Sequence, residues 1–424
     1  MRSAPVDDAA GTSATQESSG HPPRLRILVC PHELITGGSQ LNAIDLAARI
    51  RDRGHTVEIY APPGPLVRRI ASFGLTYRPA PAMTSRSLRW RSLRGLAREI
   101  RRFQPDIVHA YEFPPAIASA AVYPAAPHRS VVTILSMGVP DFIPEDVPLI
   151  VGTADLANDQ SRRRGVVRLM EPPIDPDADS PRDADAARAE LGIAGDQFVV
   201  AVVGRLSSEH EKALGVINAM EALASSELPG PVTLIVAGAG DRWGDVRRAA
   251  AAVRNPLLTV RIEGDVADPR PIYAAAHVVF GMGGSALRAM SHARPLIVQG
   301  TDGFWETLSA QSVDRFLAQG FFGQGPSGGP AFHELVSGLM HDDGRRDELG
   351  RFGRDLVLRR FAIDRAAREL EELYLAEVER HRTIRSRPWS SAHAVALARY
   401  GRFRASIVFP AAQRVSRWVR GRRD

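Results

Sequence analysis

Hydrophobic residues in this chain fall into short β-branched runs separated by stretches where they recur every three or four positions. That alternation occurs twice. Leu25–Cys30 (LRILVC) predicts a first, buried strand. Through Gln40–Arg53, apolar positions 41, 44, 46, 47 and 50 predict an amphipathic helix closed by Gly54. Strands follow at 56–60, 106–110, 131–135 and 148–151, with an arginine-rich helix over 87–103. The stretch Glu171-Pro-Pro-Ile-Asp-Pro-Asp177 breaks the pattern and reads as a linker. The alternation then restarts with strands at 197–203, 232–237, 259–262, 277–280 and 295–298, and helices at 211–224, 243–253 and 285–293. Residues 311–381 read as helices with glycine-rich interruptions.

Two copies of one βα grammar predict an α/β protein of two doubly wound, Rossmann-like domains facing across a cleft, with extra C-terminal helices. The expected boundaries are a disordered leader at 1–22, a first domain at 23–170, a linker at 171–186, a second domain at 187–380 and a basic tail at 381–424. Ligands in such folds bind at the carboxyl ends of the strands.

Charge refines this picture. The net charge is +6, but residues 380–424 hold twelve arginines against the single acid Asp424, so residues 1–379 carry −5. A mildly acidic body argues against a nucleic-acid partner. In the tail, Ala411, Ala412, Val415, Trp418 and Val419 form an apolar stripe, with Arg414, Arg417 and Arg420 off it. That pattern suits either an anionic membrane surface or a protein partner. The one cysteine, Cys30, allows no intrachain disulfide and fits a reducing, cytoplasmic setting, with the tail at the inner membrane face. The leader lacks the apolar segment of a signal peptide.

The composition also isolates one residue. Of 54 Lys/Arg residues only Lys212 is lysine. Arginine offers a planar fork of donors and lysine a compact point charge, so a lysine kept in this background is a candidate for phosphate chemistry. It follows Gly204-Arg205-Leu-Ser207 at the end of a predicted strand. Two glycine clusters stand in comparable places. Gly37-Gly38 lies between the first strand and first helix, and Gly281-Met-Gly283-Gly284-Ser285 lies between a late strand and helix. Such glycines bring backbone amides close to phosphate at a helix N-terminus, although a Gly-Gly pair also serves as a plain tight turn.

In this order the motifs resemble the GT-B glycosyltransferases and, within them, the retaining group called family 4. Supporting pieces are Arg53-Gly-His-Thr-Val57, Pro105-Asp-Ile-Val-His109, Asp302-Gly-Phe-Trp-Glu306 and Arg294-Pro-Leu-Ile-Val298. The resemblance covers about residues 24–375. It implies that Arg205 and Lys212 stabilise the diphosphate leaving group of a nucleotide-sugar donor without a metal ion. It also implies donor contacts from Gly37, Gly38, Gly283, Gly284 and Ser285, the last capping its helix, and places Arg288 and Glu306 at the donor. A histidine touching the donor sugar is implied hereabouts, at His109 or at the place held by Tyr111. Glu112 is the nearby carboxylate, and with Tyr111 it is a candidate for the acceptor, which is a glycan, a lipid-linked molecule or a small molecule. No cofactor or metal is implied, and Asp175-Pro-Asp177 and Asp183-Ala-Asp185 fall in the linker.

One departure stands out. The family pattern Glu-x7-Glu places carboxylates where this chain has Phe280 and Arg288. A guanidinium cannot accept a ribose hydroxyl's hydrogen bond. Arg288 is therefore expected to bind phosphate or to pair with Glu306. Two other readings stay open: a degenerate GT-B subunit that binds a partner glycosyltransferase, and a nucleotide-sugar epimerase of the same fold.

Overall fold

The computed structural model describes residues 23–82, 90–136, 138–325, 331–380 and 391–420, the last with side chains only to 405. The expected leader 1–22 lies outside the described residues, as do the side chains of the apolar stripe at 411–419.

Two sheets organise the chain. The first contains β1 (Arg26–Cys30), β2 (Thr56–Ala61), β3 (Thr76–Pro79), β4 (Ile107–Tyr111), β5 (Ser130–Ile134), β6 (Leu149–Val151) and β7 (Val167–Leu169). Its order is β3-β2-β1-β4-β5-β6-β7, and its pairings are all parallel. The second contains β8 (Phe198–Val203), β9 (Val232–Ala237), β10 (Leu258–Gly264), β11 (Val278–Gly281), β12 (Leu296–Gln299) and β13 (Trp305–Thr307). It runs β10-β9-β8-β11-β12-β13, with only β13 antiparallel. Both orders reverse direction beside the first strand, which leaves a crevice at the carboxyl ends of β1 and β4 and of β8 and β11. The central strands are apolar on both faces, as buried parallel strands must be.

The helix Ile363–Arg380, expected in the second domain, packs on the first. Ile363, Ala367, Leu370 and Tyr374 join a core with Ile44, Ala47 and Ile59. Burying a leucine or isoleucine stabilises by roughly 1.5–3 kcal/mol, so these contacts dominate the helix's placement. A buried carboxylate fixes its register. Glu371 accepts from Arg53 Nε at 2.8 Å and faces His55 Nε2 at 2.7 Å. Since His55 Nδ1 accepts from the Leu25 amide, its Nε2 carries the proton toward Glu371. Burial pushes the Glu371 pKa up, but the Arg53 and His55 hydrogen bonds outweigh it and leave it lowered.

The chain thus crosses between the units twice, and the crossings lie side by side. Ile174 donates to Phe361 and accepts from Ile363, both at 2.9 Å. The C-terminal helix runs from Ser391 through Pro410 to Arg420 as one element, where a short helix after Pro410 was expected. Tyr400 and Phe403 pack it against Phe142, beside the helix Phe113–Val122. No helix among the described residues is long and apolar enough to cross a membrane.

Candidate donor site

The site is best built from the second sheet. β8 ends at Val203, and the chain then passes Arg205 and Ser208 to enter the helix Lys212–Ser225. Just before that helix, His210 and Glu211 have φ of 51° and 54°, a left-handed conformation uncommon without glycine. Three contacts hold this turn. The Gln299 amide, at the end of β12, donates to the carbonyls of Glu211 (3.3 Å) and Lys212 (3.1 Å). The Glu211 carboxylate accepts from the Asp302 amide at 2.9 Å. The His210 ring packs 4.9 Å from the Phe322 ring. Gly215 is required here, because a Cβ would fall on the Gln299 side chain.

The turn brings Arg205 and Lys212 together. Arg205 Nη2 lies 3.8 Å and Lys212 Nζ 4.0 Å from one oxygen, Glu209 Oε2. Arg205 is half exposed, whereas the Lys212 side chain keeps only 22% of its surface. Burial lowers the Lys212 pKa, Glu209 opposes this, and Arg205 adds to it.

Phe322 links these cations to the glycine cluster. Lys212 Nζ lies 6.0 Å from its ring centroid. Gly283, with φ of 55°, starts the helix Gly284–Ser291, and a Cβ there would sit 3.1 Å from the same ring. The amides that open the helix have no side-chain cap. Ser285, expected as that cap, lies inside the first turn instead, and its hydroxyl donates to the Met282 carbonyl at 3.2 Å.

The two departures from Glu-x7-Glu have structural explanations. Phe280 is fully buried, with ring centroids 5.7 Å from Trp305 and 5.0 Å from Phe332. Arg288 does not pair with Glu306, which instead accepts from Arg315 at 2.9 Å. Its partner is Asp179, at 3.5 Å, on the segment that crosses between the units. Arg354 secures the same segment, donating to the carbonyls of Pro176 and Ser291.

In the first unit, Gly37 opens the helix Gly38–Asp52 in extended conformation, and the Gln40 amide fills the space a side chain would need. Gln40 also reaches Glu33 Oε1 at 2.8 Å and His32 Nε2 at 3.2 Å. His32 Nδ1 and Ser39 Oγ are buried without a partner among the described residues. Gly38 has open space around it.

His109 and Tyr111 do not reach the crevice. His109 is buried, with Nδ1 2.6 Å from the Tyr374 hydroxyl and Nε2 2.7 Å from Thr133 Oγ1. Burial lowers its pKa to about 3, so it is neutral and structural. Tyr111 is equally buried, its ring centroid 4.5 Å from that of His109 at a 35° tilt. Both were expected near the sugars, but the helix Ile363–Arg380 covers them. Glu112 follows at φ 66° and ψ 172°, a region nearly reserved for glycine. Its carboxylate holds the exit of β5, accepting from the Leu135 amide (3.0 Å) and the Ser136 hydroxyl (2.8 Å). Among the described residues no group of three or more His, Cys, Asp or Glu is placed to hold a metal ion.

Comparison with known proteins fits this architecture. Residues 36–138 match the model described as Glycosyltransferase Family 4, and residues 197–320 match Glycosyl transferases group 1. A search of curated protein sequences finds no match. Similar solved structures include a glycosyltransferase from Rickettsia africae ESF-5, with TM-score 0.65 and 15% identity over 84% of this chain and 99% of that one. Anabaena HepE in complex with UDP-glucose aligns with TM-score 0.65 and 16% identity over 83% of this chain and 100% of its own. The sucrose-phosphate synthase of Thermosynechococcus elongatus gives TM-score 0.62 and 16% identity, covering 84% and 100%.

Proposed function

Because this chain belongs to the GT-B glycosyltransferases, in the family-4-like group, we propose that it moves a sugar from a nucleotide donor to an acceptor hydroxyl with retention and without a metal ion. The observation that carries the reading is the convergence of Arg205 and Lys212 on one carboxylate oxygen, beside the uncapped start of the helix Gly284–Ser291. In the reaction the bond from the anomeric carbon to the diphosphate breaks. The acceptor oxygen bonds on the same face, and the diphosphate leaves with the acceptor's proton. Negative charge grows on the phosphate oxygens, where two cations and a helix N-terminus lower the barrier. The phosphate takes the place of Glu209 between Arg205 and Lys212. HepE's complex with UDP-glucose supports a nucleotide-sugar as the donor class.

Ser285 contributes its backbone amide rather than its hydroxyl. The loop 31–39, with Gly37 and Gly38, faces the donor and acceptor from the first unit. The paired crossings at Ile174 and Ile363 form the hinge on which the units close to exclude water. The acceptor is a glycan, a lipid-linked molecule or a small molecule, and the arginine-rich C-terminal helix holds the enzyme at an anionic membrane face.

The test is thermal shift with UDP, GDP and ADP, followed by mass spectrometry of products from a donor-by-acceptor panel. A melting rise with one nucleotide and a glycosylated product are expected. Absence of any nucleotide effect would overturn the reading and leave a binding subunit, which the missing carboxylates at Phe280 and Arg288 would then explain.

A further inference from the structure

The most exposed large hydrophobic residue among those described is Trp90, 65% accessible, at the first position of the helix Trp90–Phe103. Arg91, Arg94, Arg98 and Arg101 follow it at helical spacing, all exposed, while Leu96, Ala97 and Ile100 face the core. Arg94 lies over the Trp90 ring at 4.6 Å, and Arg101 donates to the Ala125 carbonyl. None of Arg91, Arg94 and Arg98 has a carboxylate in ion-pair distance among the described residues. A row of unpaired arginines on a body of net charge −5 is a local feature, not a general basic surface.

The topology fixes where this row lies. The helix connects parallel strands, so it starts at the carboxyl edge of the sheet, the edge of the crevice. The next helix, Phe113–Val122, starts at the same edge and packs beside it. The C-terminal helix lies against Phe113–Val122 in the opposite direction. His393 is 5.2 Å from Tyr123 at one end, and Phe403 is 6.5 Å from Phe113 at the other. The C-terminal helix therefore heads toward the edge that carries Trp90. Ile35, 56% exposed, projects from the loop after β1 at that edge as well. The first turns of Trp90–Phe103, with Arg91 and Arg94, the approaching C-terminal helix and two exposed apolar side chains thus share one rim, and the arginine row runs from it down the outer face to Arg101 at the opposite edge.

We propose that this rim docks on an anionic phospholipid bilayer, with Trp90 in the headgroup layer and Arg91, Arg94 and Arg98 on lipid phosphates. An aromatic beside cations at the end of an amphipathic helix suits the membrane interface, where one side of the residue is apolar and the other wet. A nucleic acid would take the arginines but give the exposed Trp90 and Ile35 no apolar phase. The docked rim puts the crevice mouth at the membrane, so the acceptor is lipid-linked. That last step rests on the transferase reading, whereas docking does not.

The experiment is sedimentation of the full chain with phosphatidylcholine vesicles, with and without phosphatidylglycerol, at low and physiological salt. The triple variant Arg91→Glu, Arg94→Glu, Arg98→Glu should lose affinity for the anionic vesicles by on the order of a hundredfold. Its nucleotide-induced melting shift should match that of the wild type, which shows that the fold and the donor site survive. Trp90→Phe should reduce the quenching of tryptophan emission by brominated lipid, and in a Trp418→Phe background it should abolish most of what remains. Unchanged vesicle binding in the triple variant would overturn the proposal, as would equal binding to neutral vesicles. Loss of binding only on deletion of 405–424 would also overturn it and assign docking to the tail alone. Binding that is lost as expected in a protein without nucleotide response would keep the docking and reject the transferase.

Discussion

Replacing Lys212 with arginine, the residue this sequence uses almost everywhere else, separates charge from shape. The substitution keeps the positive charge but replaces a compact ammonium by a wider, planar group. The site leaves little room for the change. The Lys212 side chain is 22% exposed, packed near Phe322 and placed at the first position of a helix whose entry turn is fixed by Gln299. Loss of one charged stabiliser of a developing oxyanion typically costs about two to three orders of magnitude in turnover, or roughly 2.7–4 kcal/mol. Lys212→Ala should therefore lower kcat by about a hundredfold or more, and Lys212→Arg should recover less than about a tenth of the wild-type rate. Donor affinity should fall in both, but by less than kcat, and the melting temperature of Lys212→Ala should change little. The pH profile supplies a second readout. Burial lowers the Lys212 pKa, so the wild-type rate should fall on the alkaline side below the ordinary lysine range, a limb absent from Lys212→Arg. Steady-state turnover of the donor identified by thermal shift measures each quantity. An arginine variant within about threefold of the wild type would refute the argument, because charge alone would then suffice.

Gln299→Leu removes the donor shared by the Glu211 and Lys212 carbonyls; it should cost about 1–3 kcal/mol in denaturant unfolding and lower kcat more than donor affinity. Glu209→Gln weakens the anion that holds both cations, so nucleotide affinity by calorimetry should rise severalfold, and a fall would show that Glu209 itself binds the donor. Activity should persist in EDTA, since Arg205 and Lys212 take the leaving-group charge; rescue only by Mn²⁺ or Mg²⁺ would reject this. His109 and His128 are buried, with pKa lowered by burial from 6.5 to about 3 and about 4. The unfolded chain binds more protons than the fold between those values and 6.5, so stability is full above that window and falls with pH inside it. At pH 5 each should have lost about 2 kcal/mol, and equal urea midpoints at pH 7 and pH 5 would contradict this.

The residues that were legible in the sequence share a local signal. Runs such as Phe198–Val203 announce buried parallel strands, and the lone lysine, Lys212, is brought beside Arg205 by the turn between them. The strands Thr76–Pro79, Val167–Leu169 and Trp305–Thr307 were not legible, being three or four residues long and polar enough to resemble loops. The helix Phe113–Val122 escaped for the opposite reason. It is buried nearly all round, so it shows no amphipathic period, and it opens with Pro114 and Pro115. For Ile363–Arg380 the period gives a helix but not the sheet that receives it. That depends on Tyr374 meeting His109 and Glu371 meeting His55, contacts across most of the chain. The same contacts explain why His109 reads as a site residue in sequence and lies beneath a helix in the fold. Gln299 and Phe322 were missed because amide and phenyl groups carry no chemical signature; only the glycines around Phe321-Phe322 hinted at close packing.

The exchange of a carboxylate for Arg288 gains a meaning from these contacts. A carboxylate at that position would leave the helix Gly284–Ser291 with an acceptor for hydroxyls and a repulsion for phosphate. Arg288 reverses both effects. Its Nη1 comes within 3.7 Å of where a Gly284 Cβ would stand, so the guanidinium folds back along the first turn, toward the end where the helix dipole favours anions. Asp179 pairs with it, and Glu209 sits between Arg205 and Lys212, offsetting one of their two charges. Each cation of the site thus faces a carboxylate on a loop or a crossing segment, exposed in Glu209 and largely buried in Asp179. On this view the chain gives up direct recognition of the ribose and strengthens its hold on the diphosphate. Because Asp179 lies on the segment that crosses between the units, a phosphate that drew Arg288 away would free that segment from one contact, and donor binding is then expected to be coupled to closure of the two units.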